Sequence, residues 1–471
     1  MSHQDKDRLN QSTPNHQALS HVLNSLLATA DCSTPQFQHG CSWTPKGLIY
    51  AAILWAWSDE NALTQRFFLA RKTIVEMAIL PRLPAGTYQA FLKMLRKWTL
   101  TLSVILLKAF RQRMESDLAD RFQFHGFAIF GVDGSRVALS RTVSNEQRFS
   151  PTSARKPKSA KSRRRAEARA KKQGPDHRKK LINSPQMWLT MMFHVRSGLP
   201  WDWRTGPSDS SERDHLIQMI NELPIDALVV ADAGFAGYEY WQSILKSGRH
   251  FLIRVGSNVR LLRGLGNVEE REGLVYLWPD SEAKKGRPPL VLRLVVAAGD
   301  RQPVYIVTSV DIDKLTDRQV LNIYEMRWGV ELFFRHFKQT FGRRKLRSQV
   351  ADHAELEATW SLIGLWAMSL HTQVELSKEG IPPERISVAG MLLAYRRTMR
   401  EYKSRPEAGE SLREMLLEAV IDSYSRKSKT SRDYPRKRTR KREMVPKVLV
   451  ATPQQMNNAK SFKGQCVLGL T

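Results

Sequence analysis

The sequence predicts an α/β fold: a mixed-sheet core interrupted by a β-rich insertion, with a helical region before it and another after it. Three observations carry this. Up to about residue 120 the apolar residues recur at helical spacing; from about Phe122 they collect in short runs that read as strands. Beyond residue 310 helical spacing returns, most clearly in Tyr324 to Lys338. The chain of 471 residues is longer than one core usually absorbs. The division it suggests is 1–120 helical, 121–255 first part of the core, 256–302 insertion, 303–375 second part of the core and 376–471 helical with a basic tail.

Leu19 to Ala28, Pro45 to Trp57, Ala62 to Met77 and Thr87 to Met114 are the predicted helices of the first region, the last with Lys93, Arg96 and Lys97 beside an apolar stripe. No helix-turn-helix is recognisable there. Gly126 to Asp133 (GFAIFGVD) reads as a buried strand ending at a turn, Gly134-Ser135, with Arg136 to Ser140 as a further short strand. Met187 to Val195 and Pro200 to Arg204 form a hairpin turned at Ser197-Gly198. Ser208 to Leu223 is a helix capped by Asp209 or Ser210. Ala227 to Asp232 (ALVVAD) is a strand running into Ala233-Gly234-Phe235-Ala236-Gly237; helix Tyr238 to Lys246 and strand Phe251 to Val255 follow. Leu274 to Trp278, Leu290 to Val296 and Val304 to Val310 are later strands. The closing region supplies helices at Glu355 to Gln373, Gly390 to Arg400 and Ser411 to Ser423.

Charge narrows the partner. The formal net charge is +28, and 20 of those charges lie in Arg155 to Lys180 and Arg426 to Arg442. Both segments are poor in large apolar residues, so disorder is expected until a polyanion binds. Neutralising phosphates releases condensed counterions, which points to nucleic acid. No apolar run approaches the roughly 18 residues of a membrane helix. The polar opening lacks the apolar core of a secretory signal, so a cytoplasmic protein is expected. Cys32, Cys41 and Cys466 make no disulfide framework, and Cys32, His39 and Cys41 match no zinc spacing.

Chemistry concentrates in YEMRWGVELFFRHFK. At about 100° per residue, Tyr324, Arg327, Glu331 and Lys338 share an arc of roughly 60°, with Met326, Val330, Phe333 and Phe337 on the other side. This Y-x2-R-x3-E-x6-K pattern resembles the DDE transposases of bacterial insertion sequences, and among them the IS-four type with its YREK signature. The two strand-end aspartates, one followed by Gly-Phe, resemble that family's first two motifs. The resemblance implies that Asp133, Asp232 and Glu331 are catalytic and hold metal, and that Tyr324, Arg327 and Lys338 contact DNA phosphates. Two Mg²⁺ ions are implied, with Mn²⁺ able to substitute; oxygen-only ligands suit both. Ions about 3.5–4 Å apart would serve attacking and leaving oxygens.

The strand and helix order from Phe122 to Val255 is that of the RNase H-like fold, which the family shares. The resemblance further implies a DNA-end-binding role for residues 1–120 and a homodimer on double-stranded DNA, both transposon ends and target. In relatives the insertion helps handle a flipped base; Trp278 and Tyr305 are available aromatics here, but core or strand-face positions suit both better, and no role is carried over to them. The alternatives are a nuclease that cuts without strand transfer and a transposase-derived DNA-binding protein.

Overall fold

The computed structural model describes residues 14–33, 35–38, 40–77, 86–151, 185–297, 303–400, 411–421, 445–463 and 467–468. His39, Cys466 and the basic segments Arg155 to Lys180 and Arg426 to Arg442 lie outside them. Four helices open the chain: α1 (Pro14–Leu26), α2 (Pro45–Trp57), α3 (Leu63–Met77) and α4 (Tyr88–Asp117). Thr44 caps α2 by accepting from Gly47 N, with Pro45 in the first turn where its missing N–H costs nothing. Every residue of α2 from Gly47 onward is buried. A helix apolar on all sides belongs inside, and α2 packs between its neighbours and a later long helix.

The strands follow. β1 (Gln123–Phe124) and the long β2 (Phe127–Ala138) lead into a short helix α5 (Val143–Phe149). The hairpin of β3 (Gln186–His194) and β4 (Leu199–Gly206) comes next, turned at Gly198 with φ +67°. Then come α6 (Glu212–Met219), β5 (Ala227–Ala231), α7 (Tyr238–Lys246) and β6 (His250–Val255). β4, β3 and β2 are antiparallel neighbours; β5 joins β2 in parallel and β6 joins β5 in parallel. Numbered from β2, the strand order is 3-2-1-4-5, the RNase H-like arrangement.

Beyond β6, β7 (Arg260–Arg263), β8 (Leu274–Leu277), β9 (Leu290–Ala297) and β10 (Val304–Thr308) extend the same sheet, with β10 pairing antiparallel to both β6 and β9. The insertion is therefore continuous with the core sheet. Trp278 is buried, its Nε1 donating to Arg287 O at 2.8 Å, and Tyr305 is half-buried within β10.

Helices α8 (Asp317–Met326), α9 (Trp328–Arg335), α10 (Ala351–Ser377), α11 (Val388–Met399) and α12 (Leu412–Glu418) come after the sheet turns back. The C-terminal stretch corrects the expectation of a helical region ending in a basic tail. β11 (Lys447–Val450) pairs in parallel with β7, and α13 (Pro453–Lys460) and Phe462 close a small core over Leu262, Tyr276 and Trp278. A last strand, β12 (Val467–Leu468), pairs with β9. Before the second basic segment Ile421 N bonds Arg385 O, and after it Lys447–Val450 pairs with β7.

Three local readings change as well. Gly134-Ser135 is not a turn: β2 runs straight through it, with Asp133 opposite Met191 and Ser135 opposite Leu189 on β3. The cap of α6 is Ser211, which accepts from Asp214 N, instead of Asp209 or Ser210. In FGRRKLR, Arg343 is fully buried, donating to Ala56 O at 2.7 Å, Ser361 Oγ at 2.8 Å and Phe341 O at 3.1 Å. Arg344, Lys345 and Arg347 are the exposed bases of that stretch.

α2 and α10 touch closely. Trp57 Nε1 donates to Gly364 O at 2.7 Å, and a Cβ on Gly364 would come within 2.9 Å of Ala56 Cβ. One apolar cluster accordingly runs from Leu19 through the sheet to Leu416. None of the described helices is long and apolar enough to cross a membrane.

His194 sits inside this cluster, fully buried, with one ring nitrogen 2.8 Å from Phe122 O and the other 2.8 Å from Ser197 Oγ. Burial holds its pKa down, to about 4. Because the unfolded chain takes up this proton near pH 6.5, native stability is intact above that pH and falls as pH drops toward 4. The shift corresponds to about 3 kcal/mol. Urea unfolding at pH 7 and pH 5 should show the first part of that loss, about 2 kcal/mol, and His194→Gln should flatten the dependence.

Candidate active site

Along β2, residues 129, 131 and 133 face one side of the sheet. Ile129 joins the apolar cluster under α8, and a Cβ on Gly131 would meet Val195 at 3.1 Å and Arg327 O at 4.0 Å. Asp133 is next on that face, under the junction of α8 and α9. β5 pairs with β2 only as far as Gly131, so the sheet opens beside Asp133. Asp232 follows the last residue of β5 into this opening. Its Oδ1 accepts from Gly234 N at 2.8 Å and caps the 3-10 turn of residues 233–235. The turn is pinned from outside by Arg213, whose Nε donates to Gly234 O at 2.6 Å. Asp133 Oδ1 accepts from Gly134 N, also at 2.8 Å. Each aspartate thus spends one oxygen on a neighbouring backbone N–H, and among the described residues neither second oxygen accepts a hydrogen bond.

The third carboxylate comes from the helix above. The segment predicted as one helix is tightened at Arg327, whose N bonds Tyr324 O at 3.2 Å, and ends in a π-helical turn over His336–Thr340. Such wide turns are frequent at functional sites. Here it shifts the phase of Lys338 away from the uniform 100° step. The buried face is Val330, Phe333, Phe334 and Phe337; Met326 is only half-buried. Phe333 packs on Phe193 with ring centroids 5.4 Å apart, which seats α9 across β3.

Glu331 Oε1 accepts from Arg327 Nη2 at 2.9 Å, and the same guanidinium lies 5.8 Å from the Tyr324 ring centre. Arg327 Nε is buried without a hydrogen-bond partner. Burial works against its charge, but Tyr324, Glu331 and Asp133 together hold its pKa above the usual value. Lys338 Nζ donates to Ser135 Oγ. Burial lowers its pKa and Asp133 opposes that. All six residues singled out in the sequence thus converge on one end of β2.

Electrostatically the centre is short of positive charge. Burial, with repulsion from Asp232 and Glu331, pushes Asp133 up to about 6 against the pull of Gly134 N and Arg327. A divalent cation would answer this excess, and the donor set, oxygen ligands only, is of the kind one takes. Among the described residues no three His, Cys, Asp or Glu side chains are arranged to hold one ion. Glu331 is turned to Arg327 and each aspartate to a neighbouring backbone N–H, and Mg²⁺ in phosphate chemistry needs only one or two carboxylates with water filling the remaining positions.

One acidic residue escaped the sequence reading. Glu212, in the first turn of α6, lies against Gly134. Burial pushes its pKa up to about 7, with Asp133 and Asp232 adding to the shift and Arg136 and Arg213 opposing it. An acid in a first turn ordinarily complements the helix dipole, so its type and spacing gave no signal.

Residues 140–366 match the family described as the transposase DDE domain; the match includes Asp232 and Glu331 and begins just past Asp133. Over this stretch the chain is similar to a transposase DDE domain. The transposase InsG for insertion sequence element IS4 of Escherichia coli (strain K12) is 24% identical over 216 residues, covering 43% of this chain and 48% of that protein. The match thus spans about half the length of this curated relative. A cryo-EM structure of the piggyBac transposase synaptic complex with hairpin DNA aligns over 91% of this chain and 89% of its own, at 12% identity and a TM-score of 0.39.

Proposed function

We propose that this protein is a DNA transposase that cuts at the ends of its element and joins the freed ends to target DNA. The observation that carries the reading is the convergence of Asp133, Asp232 and Glu331 at the open end of β2 and β5, with Arg327 and Lys338 beside them. Asp133, Asp232 and Glu331 are the residues that would hold Mg²⁺, or Mn²⁺ in its place. Bound there, the ions would activate the attacking oxygen and stabilise the leaving one. Arg327 offers a planar fork to a phosphate and Lys338 a point charge, with Tyr324 orienting the former. Helix α8 and helix α9 position these groups, and the π-helical turn sets Lys338 against Ser135.

Residues 1–120 are assigned to binding the element's ends, with Lys93 and Lys97 exposed on α4. The protein would act in the cytoplasm as a homodimer on DNA. A duplex carrying the repeats that flank the gene tests the reading: Mg²⁺-dependent cleavage at the repeat, followed by joining to a second duplex, is expected. Cleavage without repeat preference or joining would make it a nuclease; binding without cleavage would leave a DNA-binding protein.

The basic segments supply affinity in this scheme. A chain lacking residues 155–180 should bind duplex DNA about tenfold or more weakly near physiological salt. Its log-log salt slope should fall by roughly one unit for each base that had engaged a phosphate. Unchanged binding in a filter or mobility assay would place the affinity elsewhere.

A further inference from the structure

We infer that Ser135 is a positioning residue of this site: it holds the ammonium of Lys338 off the Asp133 carboxylate and free for a DNA phosphate. The inference rests on the proposed reading of Lys338 as a phosphate contact. The first observation is where the two residues meet. β2 runs unbroken from Asp133 to Ser135, opposite Met191 and Leu189 of β3, so the two side chains face the same side of the sheet. Ser135 stands about 7 Å further along the strand. Lys338 belongs to the wide turn of residues 336–340, and its Nζ donates to Ser135 Oγ.

The second observation is that this bond is what the fold offers Lys338. Among the described residues its ammonium makes neither another hydrogen bond nor an ion pair. Its further neighbours are the Phe334 ring, centred 5.9 Å away, and the charge of Asp133. A lysine head group has three N–H donors and no acceptor, so two of them stay open for a phosphate. Its four-carbon stem is flexible. Without the hydroxyl, Asp133 is the anion that draws the ammonium. An ion pair there would occupy both the cation and the Asp133 oxygen that accepts no hydrogen bond.

The third is that the turn itself is fixed. Phe337 is fully buried, Phe341 N donates to His336 O at 2.8 Å, and His336 Nδ1 lies 3.3 Å from Thr340 Oγ1. What remains loose at Lys338 is the side chain, and Ser135 holds its end. The strand alone asks for no hydroxyl here, since β-branched and aromatic residues suit a strand better than serine does.

Binding of the uncut end duplex to the full-length protein without divalent metal, followed by fluorescence anisotropy over a range of salt, tests this. The proteins are wild type, Ser135→Ala, Ser135→Thr, Lys338→Ala and the double variant combining Ser135→Ala with Lys338→Ala. Lys338→Ala should lower the log-log salt slope by about 0.9 and weaken binding about fivefold near physiological salt. Ser135→Ala removes no charge, yet it should lower the slope by roughly half that amount or more. Ser135→Thr keeps the hydroxyl and should restore the slope, and the double variant should match Lys338→Ala. A merely structural role would leave the slope unmoved. A wild-type slope in Ser135→Ala, or a further loss in the double variant, would overturn the role of Ser135 and leave that of Lys338 standing. Wild-type slope and affinity in Lys338→Ala would overturn both.

Discussion

Glu331→Ala is expected to lose metal-dependent cleavage and joining by roughly 10³-fold or more, while affinity for the end duplex stays within a few-fold of wild type. The separation follows from the pairing of Glu331 with Arg327 at 2.9 Å. Removing the carboxylate leaves a guanidinium whose remaining anionic neighbour is Asp133, so phosphate attraction is preserved or strengthened. Cleavage and mobility-shift assays on one preparation check this. Parallel loss of both activities would mean that Glu331 supports the fold and not the chemistry.

The largest effect on stability is expected from Arg343→Leu. The guanidinium is buried with three acceptors, and desolvation followed by repulsion from Arg66 lowers its pKa to about 9. Leucine would strand the carbonyls of Ala56 and Phe341 where α2 meets α10. Leaving such groups unpaired should cost about 3 kcal/mol or more. Urea unfolding should show one destabilised transition, because the N-terminal helices and the sheet share a core. A midpoint equal to wild type would mean that solvent reaches these carbonyls.

What could be read in the sequence was whatever local pattern carries. Asp232 with its Gly234-Phe235 turn, and Tyr324, Arg327, Glu331 and Lys338 at fixed helical spacing, stand out because each set lies within one element. The core strands did so because they are continuous apolar runs. The misreadings have a common cause, in that tertiary pairing overrode local signals. Gly134-Ser135 looks like a turn, yet β3 keeps pairing with β2 beyond the point where β5 leaves it. Arg343 looks like one more surface base until α2 supplies a carbonyl 287 positions away in sequence. β7 and β11 are four residues each, and β11 follows a basic run, so only their pairing, β7 with β8 and β11 with β7, marks them as strands. Glu212 reads as an ordinary first-turn acid, because the glycine it lies against, Gly134, belongs to a strand distant in sequence.

The centre itself is tested most directly by exchanging one ligand for a softer one. Asp232→Cys should be inactive in Mg²⁺ and regain part of its cleavage in Mn²⁺, which tolerates sulfur better than Mg²⁺ does, with wild type active in both. Equal loss in the two metals, or full activity in Mg²⁺, would contradict the assignment of Asp232 as a metal ligand.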